Sequence, residues 1–357
     1  MRKFLLNIIH FLIIPFFIWG IIEAFLPPTF FTHRHFEALS FKTNVPRKTD
    51  WYPNIHSKMM ATGDLCFNTN NSVFKSEEWI TDKFGYRNEE FVDKPDVLFL
   101  GDSFIMGSSL SQNELISNQV KIKSNDRIKV YNMAPSSFSI FDRYLKVKNI
   151  KKPKLIIFSI VERNIPEPII YYNVTREMKY KKLIDDLFSI GNINVYIDKA
   201  FKQLSLQWIK ARINRSRGFG MQATGNSNMF FLNGITQNPS ESNLNSTVKI
   251  ILSYKKYCDS NDIRFIFMPM PDKESVYYEL VPFKQQPNYL FKLDSLLNIV
   301  GVSTINTLKI YNNYRKSSSK LLYHLDDTHW NSNATDLIST AIISKITNDS
   351  LLNVHTQ

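Results

Sequence analysis

The sequence predicts an α/β fold: a doubly wound, mostly parallel sheet with an N-terminal transmembrane helix and a helical insertion. Three observations predict it. Short apolar runs recur at 97–100, 128–131, 155–160, 264–267 and 302–305, and helix-like stretches separate them. That alternation calls for parallel strands joined by crossover helices. The first run is followed at once by Gly101-Asp102-Ser103-Phe104, the layout of an exposed nucleophile at the end of a buried strand. Finally, the chain opens on an apolar stretch, 4–22, that contains no charge.

The elements follow in order. Met1-Arg2-Lys3 precedes the apolar stretch, interrupted only by Asn7, His10 and Pro15. Its residues, as a helix, span about 28 Å, close to the hydrocarbon thickness of a bilayer. No small-x-small cleavage site stands before Pro27-Pro28, so an uncleaved signal anchor over 1–26 is expected rather than a removed signal. A buried soluble helix is the alternative, and the lack of a polar face argues against it. Arg2 and Lys3 place the N-terminus in the cytoplasm and the body outside. Residues 27–80 form a polar lead-in with Pro46 and Pro53, expected to tether the domain and wrap its edge. Residues 81–350 form the catalytic domain, with helices expected at 113–120, 141–148, 246–260 and 290–299 and an amphipathic final helix at 333–346. An insertion interrupts the alternation at 166–245. Its first part, 180–217, is helical in pattern and basic, with Lys181, Lys182, Lys202, Lys210, Arg212, Arg215 and Arg217; its second, 226–245, is rich in asparagine and serine. The basic part reads as a lid or a surface for acidic glycan or lipid headgroups, or as a solvated helical face. No internal repeat is present.

Lysine and arginine exceed the acids by twelve in 357 residues. Such an excess favours anionic partners: phospholipid, acidic polysaccharide or nucleic acid. No nucleic-acid-binding motif appears, so nucleic acid is not expected. Cys66 and Cys258 are the only cysteines. They have no metal-ligand spacing and make no framework, and a single bond between them stays open. His33 and His35 lack further ligands close by and read as an interfacial loop. No metal and no nucleotide cofactor are expected.

The chemistry rests on residues far apart in the chain. A serine nucleophile needs a base to take its proton, and the base needs a carboxylate to fix its tautomer. Ser103, His329 and Asp327 supply these roles in the order serine, aspartate, histidine. The alternative for Ser103 is a helix N-cap. His324 competes as base, and Asp326 as its carboxylate partner.

Four further segments carry a resemblance. Phe84-Gly85-Tyr86-Arg87-Asn88, Val161-Glu162-Arg163, Pro269-Met270-Pro271-Asp272-Lys273-Glu274 with Tyr277, and Asp327-Thr328-His329-Trp330-Asn331 resemble, in this order, the segments of the SGNH-hydrolase superfamily, within it the alginate O-acetyltransferase type. The likeness runs from residue 80 to residue 347. It implies an SGNH, flavodoxin-like sheet and selects Asp327 and His329 over Asp326 and His324. The chain departs from the wider superfamily at the oxyanion hole. Asn132 to Ser137 contains no glycine, and Glu162-Arg163 replaces a Gly-x-Asn. Asn132 or the amides around Ser136 are candidates to join the Ser103 amide, although Asn132 also suits a strand-closing turn. Arg163, Lys273 and Trp330 are further substrate-binding candidates. Lys273 either orients the active-site loop, touches substrate, or is a surface lysine; Trp330 either packs beside His329 or is ordinary core.

The resemblance implies a membrane-anchored O-acetyltransferase that moves acetyl groups onto an exported polysaccharide through an acyl-serine. Its partners would be the polysaccharide acceptor, membrane lipid and a membrane-bound O-acyltransferase as acyl source. It would sit in the inner membrane, with the catalytic domain facing the periplasm or exterior. A carbohydrate acetylesterase is the alternative. A non-catalytic glycan-binding assembly protein is a third reading, against which the intact Ser103, Asp327 and His329 argue.

Overall fold

The computed structural model describes residues 2–25, 32–40, 51–146, 149–165, 216–225, 228–233, 241–282 and 285–352. Nearly all of the basic helical stretch expected at 180–217 lies outside these residues, as do 226–227 and 234–240 of the asparagine-rich loop.

The chain begins with α1 (Arg2–Phe25). Apolar side chains project from it into solvent on more than one side, among them Phe4, Phe11, Leu12 and Phe17. The transmembrane span expected over 4–22 is not shown. The side chains of Leu5, Leu6, Phe16 and 19–25 lie outside the described residues. Among the described residues no helix is long and apolar enough to cross a membrane.

The lead-in is more ordered than its polar composition suggests. It folds into α2 (His35–Leu39) and an antiparallel hairpin of β1 (His56–Ala61) and β2 (Lys75–Ile80). The hairpin's long connection, 62–74, is held by Leu65 N–H donating to the Asp326 carbonyl at 3.0 Å and by the Asp326 carboxylate, which accepts from the Gly63 and Val73 amides at 2.9 Å each. The lead-in thus reaches the far end of the chain and does more than wrap an edge.

The body comprises β3 (Val97–Leu100), α3 (Ser103–Met106), α4 (Ile116–Lys123), β4 (Val130–Asn132), α5 (Phe138–Lys146) and β5 (Leu155–Phe158). It continues with the short pair β6 (Met221–Gln222) and β7 (Phe230–Phe231), α6 (Glu241–Ser260) and β8 (Arg264–Phe267). Then come α7 (Lys273–Val276), α8 (Tyr289–Ile299), β9 (Ser303–Thr304), α9 (Thr307–Arg315) and α10 (Ser332–Asn348). Five strands form one parallel sheet in the order β4-β3-β5-β8-β9. Every residue of β3 and β5 is buried, as parallel strands covered on both faces should be. All five predicted strands fall within a few residues of the observed ones. The sequence reading has no counterpart for the β1–β2 hairpin or for α9.

Helix α10 packs along α4, and α6 packs on β8 and α8. Aromatic rings fill the space between α5, α6 and the sheet: Phe138 stacks on Tyr254 with centroids 4.3 Å apart, and both meet Phe158 edge-on. Cys66 and Cys258 are buried free thiols in separate apolar clusters, which settles the open disulfide in favour of none.

The strand order places the site. Successive numbers run one way from β3 to β4 and the other way from β3 to β5 and β8, so the topological switch lies between β3 and β5. Ligands of open α/β sheets bind outside the carboxyl ends of the strands at such a switch. Ser103 follows β3, and Glu162-Arg163 follows β5.

Arg87 braces this end of the sheet. It is wholly buried and stacks over Trp79 at 3.9 Å. Its guanidinium donates to the carbonyls of Glu78, Met106, Gly107 and Leu110 and to Gln112 Oε1. Three of those acceptors, Met106, Gly107 and Leu110, lie at the end of α3 and just after it. Arg87→Met should lower stability by about 3 kcal/mol or more, because each buried acceptor left unpaired costs about 1–3 kcal/mol. Arg87→Lys should recover only part of it, lacking the planar fork. Urea midpoints of the two variants check both expectations.

Candidate active site

The position of Ser103 is built by local sequence. Gly101 follows β3, and a Cβ there would lie 2.6 Å from the Ser159 carbonyl oxygen, so only glycine lets the chain just past β5 approach this closely. Asp102 precedes α3 and turns the chain: one carboxylate oxygen accepts from the Phe104 amide at 2.9 Å, the other from the Val161 amide at 2.7 Å. Asp102 therefore caps the helix and ties the β3 loop to the β5 loop. Gly107, at φ 84, stops α3 after one turn. Ser103 is the first residue of that turn.

Its partner comes from the loop before α10. Asn331 caps α10 by accepting from the Asn333 and Ala334 amides and anchors the loop by donating to the Leu321 carbonyl. Tyr323 and Trp330 bridge across the loop base. His329 is thereby delivered to Ser103, with Oγ and Nε2 2.8 Å apart. On the other side, His329 Nδ1 lies 2.6 Å from Asp327 Oδ1, which also accepts from the His329 amide at 2.8 Å. A carboxylate on Nδ1 selects the tautomer that leaves Nε2 free to accept the serine proton.

The second Asp327 oxygen is supplied from elsewhere. It accepts from Ser109 Oγ at 2.6 Å and from the Asp64 amide at 3.1 Å, with Lys75 Nζ at 3.9 Å. Burial opposes the charge on Asp327, but the Lys75 ammonium and the imidazole of His329 outweigh it, and Asp327 is held well below the usual carboxylate range. Its neighbour Asp64 is pushed up, by burial first and by Asp327 next. Asp64 accepts from the Thr328 amide and hydroxyl at 2.8 and 2.7 Å. Asp64, Asp327 and His329 bring ligand atoms within 4.8 Å of one another, close enough for a cation. Each residue already has protein partners, and the group reads as the hydrogen-bonded shell of the base.

Sequence reasoning missed Asp64, Lys75 and Ser109. Only Ser109 lies close enough in sequence to Ser103 to have drawn notice; nothing in a polar lead-in marks Asp64 or Lys75 as neighbours of residue 327. The competing residues are also accounted for. Asp326 binds the lead-in amides, as described above. His324 is half-buried with its Nε2 enclosed, and desolvation with the nearby Lys75 holds its imidazole well below its ordinary range. His33 stacks on Phe67, and His35 meets Ser57 Oγ at 2.9 Å.

The five substrate-side candidates divide. Asn132 is wholly buried, donates to the Ile105 carbonyl and accepts from the Ala134 amide, closing the end of β4. The Ser136 amide is spent on the Gly101 carbonyl at 3.0 Å, whereas its buried hydroxyl has no partner among the described residues. Lys273 is 1% exposed and donates to the carbonyls of His324, Leu325 and Asp327. It orients the loop, and its burial keeps it from substrate. Trp330 is core, edge-on to Phe104 at 6.0 Å. Arg163 is one-quarter exposed, pairs with Asp272 and lies 5.8 Å from the ring of Phe104, the residue after the nucleophile.

No family model matches the chain, and no curated protein matches it. Among solved structures it is similar to a candidate acylhydrolase from Bacteroides fragilis: 13% identity and a TM-score of 0.35, covering 73% of this chain and 88% of that one. It is also similar to a GDSL-like lipase from Bacteroides thetaiotaomicron: 10% identity and a TM-score of 0.34, covering 72% and 89%. Both likenesses are too distant to carry an inference about activity.

Glu162 links the β5 and β8 loops: its amide donates to the Met270 carbonyl, and its carboxyl accepts from the Asp272 amide at 3.1 Å. Burial, with the Asp272 charge beside it, pushes it up to about 8 from 4.5. A carboxyl raised on folding holds its proton longer in the folded state. Its stabilising contribution is therefore complete below about pH 4.5 and is lost as pH rises through about 8. Glu162→Gln should flatten the fall in stability over that window and be the more stable form at its upper end. Thermal unfolding followed across pH checks this.

Proposed function

We propose that the chain is a serine-dependent acyl-transfer enzyme of the SGNH-hydrolase superfamily. The observation that carries the reading is the continuous relay Ser103 Oγ–His329 Nε2 and His329 Nδ1–Asp327 Oδ1, 2.8 and 2.6 Å, closed between residues 226 positions apart. An N-cap serine would not need a histidine on its hydroxyl. Ser103 Oγ attacks an ester carbonyl, and its proton passes to His329 Nε2. Asp327 stabilises the imidazolium. Collapse of the tetrahedral intermediate expels the alcohol, which takes the proton from His329, and leaves an acyl-serine. An incoming hydroxyl, from water or sugar, gives its proton to His329 and releases the acyl group by the same path. The Ser103 amide is the donor we assign to the oxyanion.

Within that chemistry we favour O-acetyl transfer to an exported or cell-surface polysaccharide, with a membrane-bound O-acyltransferase as acyl source. The Asp-Thr-His-Trp and Pro-x-Pro-x-Lys segments support it by resemblance, and Lys273 has an orienting place that fits. Helix α1, uncharged from residue 4 to 22 and clothed in exposed apolar side chains, supports a membrane tether. Arg2 and Lys3 support a cytoplasmic N-terminus, with the body in the periplasm or outside. Holding donor and acceptor together is where a transferase gains over water.

Two experiments test this. The full chain in detergent, given a p-nitrophenyl ester of acetate, should carry acetyl on the Ser103 peptide by mass spectrometry, and Ser103→Ala should lose at least about a thousandfold in turnover with its thermal midpoint unchanged. Adding an acceptor glycan should divert acetyl from water to sugar; brisk hydrolysis indifferent to glycan, with deacetylation of native polymer, would mark an esterase instead. In cells, the chain should stay with the membrane pellet through carbonate extraction. Release into the supernatant would remove the tether from the proposal while leaving the chemistry untouched.

A further inference from the structure

The relay described above uses one oxygen of Asp327. The other oxygen faces a lysine that no part of the mechanism employs. Lys75 is the first residue of β2, paired with Ala61 of β1. Its side chain is 17% exposed, yet the ammonium nitrogen itself is buried and has no hydrogen-bond partner among the described residues. An ammonium taken out of water without acceptors is costly unless a charge compensates it. The nearest opposite charge is Asp327 Oδ2, at 3.9 Å, on a carboxylate that is itself 3% exposed.

The groups around Asp327 leave that task to Lys75. Its own loop contributes Asp326, His324 and His329. The lead-in contributes His33, Asp64 and Cys66; β2 contributes Glu77 beside Lys75; α7 contributes Lys273. Besides Lys75, one of these is a lysine. The Lys273 ammonium is shared among three backbone carbonyls. Arg34, further out, pairs with Asp64 at 3.6 Å. Among the described residues Lys75 is the lysine within 4 Å of the Asp327 carboxylate without a carbonyl to share it, although its charge also reaches Glu77.

We propose that Lys75 is a positioning residue of the acyl-transfer centre, brought in by the β1–β2 hairpin to hold the second carboxylate oxygen of Asp327 and keep that group ionised while His329 works. The proposal rests on the relay reading of Ser103, His329 and Asp327. It gives the lead-in a part in catalysis: the hairpin closes the electrostatic circuit behind the base. At low pH the hydrogen-bonded Asp327–His329 pair takes up a proton, and the serine loses its base. Removing Lys75 moves that event to higher pH.

The test uses the full chain in detergent and a fluorophosphonate probe, which reports nucleophile activation without a known acceptor. Labelling rate is followed against pH for wild type, Lys75→Met and Lys75→Arg, with p-nitrophenyl acetate turnover as a second measure. In Lys75→Met the acid limb should move up by about one pH unit, a tenfold loss on the acid side that narrows as pH rises. KM for the small ester should stay put while kcat falls, and Lys75→Arg should restore most of the limb. If Lys75→Met does not fold, Lys75→Cys alkylated with bromoethylamine after purification replaces it, and the limb should return with the amine. An acid limb unmoved in Lys75→Met, or a loss equal at every pH, would overturn the proposal. Failure of the wild type to label at Ser103 would instead overturn the acyl-transfer reading beneath it.

Discussion

The Asp327 carboxylate is the point where this molecule is gathered. One oxygen takes the imidazole and the backbone amide of His329; the other takes Ser109, the Asp64 amide and the field of Lys75. Those partners come from the lead-in loop, the hairpin, the loop after the nucleophile and the last loop of the body. A buried carboxylate is stable only when such donors replace the water it has lost. Each donor therefore specifies where its own segment must lie. The shape of the site follows from satisfying one charge.

The rest of the architecture serves that meeting. The parallel sheet puts Ser103 at the switch point, and Gly101 and Asp102 turn the chain sharply enough to expose it. Arg87 ties down the backbone from 106 to 110, and that backbone carries Ser109 to Asp327. Lys273 holds the carbonyls on both sides of Asp326, and Asp326 in turn pins the 62–74 connection. The acidic run Asp326-Asp327 thus splits its work: the first residue attaches the lead-in, the second orients the base. The two acids are adjacent in sequence and opposite in effect, because the chain turns at 325–326 and bends at 327, and their carboxylates meet different partners.

Several residues that look chemical serve the scaffold. Asn132 occupies a place where an oxyanion donor was expected, but its amide closes the end of β4. Trp330 beside the base is core. Lys273 is buried too deeply to meet a substrate. The same motif segment supplies one group that fits a rim role, Arg163, and one carboxyl, Glu162, that burial keeps protonated well above its ordinary range. Short motifs mark where such residues stand; which of them face a ligand depends on which hydrogen bonds the backbone has already claimed.

By itself the sequence determined the alternation of strands and helices, because period and apolar content are local properties. It also marked Ser103, His329 and Asp327 as candidates, because a serine at a strand end and an Asp-x-His carry their chemistry in their residue types. The tertiary structure decided the order of the strands, the separate partners of Asp326 and Asp327, and the entry of Asp64, Lys75 and Ser109 into the site. Those outcomes rest on pairs separated by up to 264 positions, whose meeting depends on how every intervening segment packs. Residues 56–61 and 75–80 have no core pattern of their own. They form a hairpin whose connection meets Asp326 and whose Lys75 faces Asp327.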